Sequence, residues 1–128
     1  MPPNTPKDPI SVFLCDDVPE FRALMRLALE DDPSLEVVGE ADDGRTCVDC
    51  VSQDAPDVIL LDLSMPNWDG LEAIPLIRQS APQTAIVVLS SHSKARMGAK
   101  AMAAGATAYV EKGSSFAEIR SAVRAAAA

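Results

Sequence analysis

Two short runs constrain this chain more than any other feature. Val58-Ile59-Leu60-Leu61 and Ala85-Ile86-Val87-Val88-Leu89 are solidly apolar and unbroken by polar alternation. They are too short for helices and read as strands with both faces covered. Such strands belong to parallel sheets, whose neighbours need helical crossovers. Ile10-Ser11-Val12-Phe13-Leu14-Cys15 is a further β-forming run, stopped by Asp16-Asp17, and Ala108-Tyr109-Val110-Glu111 is a short one. Leu35 to Ala41 comes close to alternating, with Leu35, Val37 and Ala41 expected on one face and Glu36 and Glu40 on the other. That is the pattern of an edge strand with one wet side.

Helical spacing fills the intervals. Pro19 takes a first-turn position ahead of Phe21, Leu24, Met25, Ala28 and Leu29, and Asp32-Pro33 ends that helix. Asp42-Asp43-Gly44 leads into a second helix to about Gln53, closed by Ala55-Pro56. After the turn-like Met65-Pro66-Asn67-Trp68-Asp69-Gly70, a third carries Leu71, Ile74 and Ile77, and Pro75 inside it predicts a kink or a late start. Lys94 to about Ala104 is a fourth, ended by Gly105. Ser114 or Ser115 caps a fifth with Phe116, Ile119 and Val123 on one stripe, and Ala125–Ala128 reads as its end. The fold class is therefore α/β, a (βα)5 doubly wound parallel sheet. The wet second strand and short fifth fit the edges, so the order is 2-1-3-4-5. In that order the winding switches between strands 1 and 3, where ligands bind outside the carboxyl ends.

A length of 128 residues is one domain's worth. The expected division is a flexible Pro-rich arm over 1–9, holding four prolines, a domain over 10–126 and a tail of 127–128. The 48% apolar content suffices for a core, and the net charge of −8 repels nucleic acid and anionic lipid. No direct nucleic-acid contact by this domain is expected. No apolar run approaches a membrane helix, and Met1–Pro9 lacks the regions of a signal peptide, so the chain reads as cytoplasmic. Three cysteines, Cys15, Cys47 and Cys50, suit a reducing compartment. Cys47 and Cys50 have redox spacing but lie within a helical pattern, which favours packing over thiol chemistry. A single histidine, His92, speaks against zinc.

The topology brings Asp16 and Asp17, Asp62, Ser90 and Lys112 to one rim of the sheet. Singly, each has an ordinary explanation: the Asp pair as a helix N-cap, Ser90 as a turn residue, Lys112 as a solvated strand end. Asp62, flanked by Leu60, Leu61 and Leu63, resists one, because a buried carboxylate is costly unless its lost hydration is replaced. Two carboxylates about 4 Å apart repel by roughly 4 kcal/mol at an effective dielectric near 20, so a cation is implied. Carboxylates with no histidine or thiolate partner select a hard ion, and a shallow, partly hydrated cleft favours Mg2+ over Ca2+. A lysine beside such an ion and a nucleophilic carboxylate is what in-line phosphoryl transfer needs. The site is expected to accept a phosphoryl group on an aspartate.

Five segments then carry a resemblance: Cys15-Asp16-Asp17; Leu61-Asp62-Leu63-Ser64-Met65-Pro66 with Asp69-Gly70; Val88-Leu89-Ser90-Ser91; Ala104-Gly105-Ala106; and Tyr109-Val110-Glu111-Lys112. From about Ile10 to Ala126 the chain resembles a response-regulator receiver domain of two-component signalling. The resemblance implies that Asp62 is the phosphoacceptor, served by a phosphohistidine on a sensor histidine kinase. It implies Mg2+ held by Asp17, Asp62 and the Ser64 carbonyl, with Asp16 acting through water. Ser90 would bond the phosphoryl oxygens, Lys112 would pair with the remaining charge, and Tyr109 would follow Ser90 inward as a switch. The face formed by helix 4, strand 5 and helix 5 would change with phosphorylation. Homodimerisation on phosphorylation and a DNA-binding output domain beyond Ala128 are the further partners this resemblance points to.

Gly113 after Lys112, where the family commonly has proline, resembles the subclass joined to LuxR-type helix-turn-helix domains and argues against a cis peptide there. Ser91, where a smaller residue is frequent, narrows access to the phosphoryl group, and Ser64 and His92 are expected to tune its lifetime. Two other readings compete. A phosphohydrolase with an Asp nucleophile would resemble Asp-x-Asp, and Asp62-Leu63-Ser64 lacks the second acid. A degenerate, phosphate-independent receiver conflicts with the intact set Asp16, Asp17, Asp62, Ser90 and Lys112. Glycine-rich nucleotide-binding patterns are absent from the sequence.

Overall fold

Val58 to Leu61 is buried at every position and lies mid-sheet, as an unbroken apolar run requires. The computed structural model describes residues 8–65 and 68–128. Strands β1 (Ile10–Cys15), β2 (Leu35–Ala41), β3 (Val58–Leu61), β4 (Ala85–Ser90) and β5 (Ala108–Glu111) pair in parallel in the order β2-β1-β3-β4-β5. Helices α1 (Pro19–Glu30), α2 (Gly44–Gln53), α3 (Gly70–Ser80), α4 (Lys94–Ala104) and α5 (Phe116–Ala127) make the crossovers. A two-residue antiparallel ladder, Ser64–Met65 with Trp68–Asp69, precedes α3. Of the expected arm and of the turn before α3, residues 1–7 and 66–67 lie outside the described residues.

Strand periodicity divides the core into two layers. Phe13, Cys15, Ile59, Leu61, Ile86, Val88 and Tyr109 face Cys47 and Val51 of α2, Ile74 and Ile77 of α3 and Ala101 of α4. Val12, Leu14, Val58, Leu60, Val87 and Leu89 face Met25 and Leu29 of α1 and Ile119 and Val123 of α5. Each fully buried aliphatic side chain contributes about 1.5–3 kcal/mol, which is why β3 and β4 carry no polar residue before their carboxyl ends. Three helix starts are capped by side chains, whereas α1 begins after Val18 with no side-chain cap, so the Asp16-Asp17 pair does not supply one. Asp43 accepts from the Thr46 amide, Ser93 from Arg96 and Ser115, not Ser114, from Glu118. Gly105 ends α4 at φ 122°, a conformation that favours glycine.

Four expectations need correction. The β1–β2 register slips, with Val12 opposite Val37 but Phe13 opposite Gly39, leaving Val38 as a bulge. The bulge inverts the inward and outward alternation: Leu35 and Val37 enter the α1/α5 layer and Ala41 the opposite one, so the three do not share a face. Glu36 and Glu40 are likewise separated, being registered with Ser11 and Leu14 of β1, whose side chains point to opposite faces. Secondly, of the kink or late start expected from Pro75, the late start does not occur: α3 runs from Gly70 through Pro75, whose side is exposed. Thirdly, Phe116 is 41% exposed at the first turn of α5 and leaves the stripe to Ile119 and Val123. Fourthly, Leu24 is 44% exposed because Met25, Ala28 and Leu29 already fill the inner face of α1. No helix among the described residues is long and apolar enough to cross a membrane.

Candidate functional site

The carboxyl ends of β1, β3 and β4 and the residue after β5 meet where the winding switches. Asp16 follows β1 directly; its amide donates to the Ala41 carbonyl at 3.1 Å, and its Oδ1 accepts from the Val18 amide at 2.9 Å. Asp62 follows β3, with its amide on the Cys15 carbonyl at 2.9 Å. Lys112 follows β5, with its amide on the Ser90 carbonyl at 2.7 Å. Asp16, Asp62 and Lys112 are thus each placed by a ladder bond that continues the sheet one step past the strand end. Asp16, Asp17 and Asp62 each present a carboxylate oxygen, and these lie within 4.8 Å of one another.

Asp62 is 3% exposed and Ser90 fully buried, whereas Asp17 is half-buried at the mouth. The Lys112 ammonium sits 3.0 Å from Asp16 Oδ2 and 3.5 Å from Asp62 Oδ2, and 4.4 Å above the Phe21 ring. The Ser64 amide donates to Asp62 Oδ1 at 3.1 Å. Burial pushes the Asp62 carboxyl up to about 6; the Ser64 amide and Lys112 oppose that rise, while Asp16 and Asp17 add to it. One ammonium leaves three carboxylates two charges short of neutral, the charge of a divalent ion. An all-oxygen set with few protein donors fits Mg2+, which keeps several waters, better than a Ca2+ cage.

On the β4 side, the Ser90 hydroxyl accepts from the His92 amide at 3.1 Å, which leaves its own proton to donate to an incoming anion. Tyr109 is already inside, 6% exposed, its hydroxyl donating to the His92 carbonyl at 2.8 Å. Ser64 Oγ lies 3.3 Å from His92 Nε2, so the loops after β3 and β4 touch over the pocket. The side chains of Asp16, Asp17, Asp62 and Lys112 are therefore together, and Ser90 adjoins them through the bond from the Lys112 amide to its carbonyl. Sequence reasoning missed Phe21 and Arg22 of α1 as neighbours of the pocket and Glu111, whose carboxylate accepts the first amide of α4, Lys94 N, at 2.8 Å. It also passed over why Gly70 is needed. A Cβ there would lie 2.5 Å from Leu63 Cα and 2.7 Å from the Asp62 carbonyl oxygen, so only glycine lets α3 start against the Asp62 segment.

The family model of the response regulator receiver domain matches residues 12–124. The chain belongs to this family. Among curated relatives, the receiver is similar to "Response regulator UvrY" of Escherichia coli (strain K12), 42% identical over 115 residues, covering 90% of this chain and 53% of that protein. It is also similar to "Protein-glutamate methylesterase/protein-glutamine glutaminase of group 2 operon" of Rhodospirillum centenum (strain ATCC 51521 / SW), 37% identical, covering 91% of this chain but 30% of that one. The chain thus spans about half or less of the length of these relatives. Among solved structures, the receiver domain of the putative response regulator NarL from Mycobacterium tuberculosis superposes with a TM-score of 0.89 at 34% identity, over 94% of this chain and 98% of that one. A LuxR-family response regulator from Aurantimonas sp. SI85-9A1 gives 0.89 at 32%, over 94% and 86%. The chain is a receiver domain of a two-component response regulator. Receiver domains bind Mg2+ at an acidic aspartate cluster, and Asp16, Asp17 and Asp62 form such a cluster here.

Proposed function

We propose that Asp62 is the phosphoacceptor of this receiver and takes its phosphoryl group from a phosphohistidine of a sensor histidine kinase. The observation that carries this is the placing of a buried Asp62 carboxylate within reach of Lys112 and beside two further aspartates. Asp62 supplies the attacking oxygen: the new O–P bond forms as the P–N bond to the donor imidazole breaks, and that imidazole leaves with the electron pair and takes up a proton. Lys112 holds the Asp62 oxygen and faces the charge gathering on the transferred group. Ser90 donates its hydroxyl to a phosphoryl oxygen once the loop after β4 moves inward. Asp17, Asp62 and the Ser64 carbonyl would hold Mg2+, with Asp16 acting through water. The ion supplies neutralisation of the phosphoryl oxygens. Ser64 and His92, in contact over the pocket, control water access and hence phosphoryl lifetime.

The loop after β4 is tied to Tyr109 through His92 and to β5 through the Ser90–Lys112 bond. Movement of Ser90 therefore shifts the α4-β5-α5 face, which controls an output. The similarity to UvrY and to LuxR-family structures supports transcription as that output, through a DNA-binding domain beyond Ala128, with homodimerisation on phosphorylation. In this reading residues 10–126 are the receiver in a cytoplasmic protein whose own chemistry is self-phosphorylation and slow dephosphorylation. The test is incubation with a small-molecule phosphodonor and Mg2+, followed by intact-mass measurement. One hydroxylamine-labile phosphate per chain, lost in Asp62→Ala, is expected. Rapid turnover without an adduct would point to a hydrolase, and no Mg2+-dependent labelling to a degenerate receiver.

A further inference from the structure

The acid pocket is held on its α1 side by contacts that the proposed chemistry does not use. Arg22 Nη1 donates to the Asp16 carbonyl at 2.6 Å, and its Nε meets Glu40 Oε1 of β2 at 2.9 Å. Arg26, one turn on, takes the other Glu40 oxygen at 2.7 Å. Glu40 reaches this face only because the Val38 bulge inverts the alternation of β2; in unbroken register it would point toward α2. The Arg22–Glu40 pair is partly open to solvent, at 19% and 29%, where ion pairs stabilise a fold little. What a planar guanidinium pinned at one edge does well is fix whatever its other edge holds. Here that is the peptide joining Asp16 to Asp17, whose orientation sets where both carboxylates point.

Arg22 has two conceivable effects on a cation, and they are opposite in sign. As a nearby positive charge it repels a divalent ion, so removing it would tighten binding. As a clamp on the Asp16 carbonyl it keeps Asp16 and Asp17 convergent with Asp62, so removing it would loosen binding. We propose that Arg22, anchored by Glu40, is a positioning residue for the divalent-cation pocket and acts through the Asp16 carbonyl. The inference rests on the receiver reading of the pocket.

The experiment titrates Mg2+ alone into the wild type, R22Q, R22K, E40Q and R22Q/E40Q by calorimetry, and measures melting with chelator and with saturating Mg2+. R22Q and E40Q are each expected to weaken Mg2+ about tenfold, the size typical of losing an outer partner of a metal ligand. The double variant should be no weaker than either single one, since both break one clamp. R22K keeps the charge but cannot span both acceptors, and is expected to weaken Mg2+ as R22Q does; it decides the matter if R22Q fails to fold. Tighter Mg2+ binding by R22Q, or opposite shifts in R22Q and E40Q, would mean simple charge effects and overturn the proposal. So would unchanged affinity with melting lowered equally in chelator and in Mg2+, the mark of a purely structural pair. No Mg2+ binding by the wild type would overturn the receiver reading itself, and the clamp with it.

Discussion

At the residue scale, Asp62 is a buried carboxyl that is costly to ionise. Its carboxyl titrates at about 6 against an ordinary 3.8, chiefly because it is buried. The unfolded chain ionises at the ordinary value, so this group's contribution to stability is fully present below about 4 and is lost as pH rises through about 6. In chelator, Asp62→Asn should therefore be more stable than the wild type above pH 6, by up to about 3 kcal/mol, with the difference closing toward pH 4. Denaturant melts across that range measure it, and a variant less stable at pH 8 would contradict the cause given. In the proposed mechanism Lys112 has a separate task. Lys112→Ala should still bind Mg2+, because the three aspartates remain, yet fail to pass the change to Tyr109. Backbone amide shifts around Tyr109 that move on phosphorylation as in the wild type would refute that assignment.

At the element scale, α3 depends on one close approach. The Cβ of an alanine at position 70 would meet backbone atoms of Leu63 and Asp62 at 2.5 and 2.7 Å, neither of which is the end of a flexible side chain. Gly70→Ala should cost about 1–3 kcal/mol and displace the Asp62 segment, lowering the rate of phosphodonor labelling as well as the melting temperature. Crowding at Gly39 is of another kind, since a Cβ there would meet the side-chain ring of Phe13 at 2.7 Å rather than backbone. The α5 cap offers a plainer check. Ser115→Ala should lose about 1 kcal/mol, and Ser114→Ala almost none, because Ser115 alone accepts the Glu118 amide.

At the scale of the whole molecule, binding of Mg2+ at the proposed site would stabilise the fold. A ligand that binds only the folded state adds about 2.7 kcal/mol at a hundred times its Kd. Mg2+ should therefore raise the melting temperature at pH 8 and have less effect at pH 5, where Asp62 holds a proton that the ion must displace. Equal stabilisation at both pH values would show that Asp62 is not among the ligands.

The order of the strands, the two-sided burial of β3 and β4 and the set Asp16, Asp17, Asp62, Ser90 and Lys112 were legible in the chain itself. Unbroken apolar runs admit few placements, and polar residues at their carboxyl ends must then converge. Register was not legible. Leu35 to Ala41 alternates well enough to be taken as one regular strand, and the one local hint of an extra residue is Gly39, since a lone glycine inside a strand often marks a bulge. Only pairing with β1 reveals the slip. That slip sends Glu40 to Arg22 and Arg26, and so decides how the Asp16 peptide is held. Periodicity records which residues are buried, whereas the contacts between distant segments depend on how neighbouring strands align, and that alignment is settled in three dimensions.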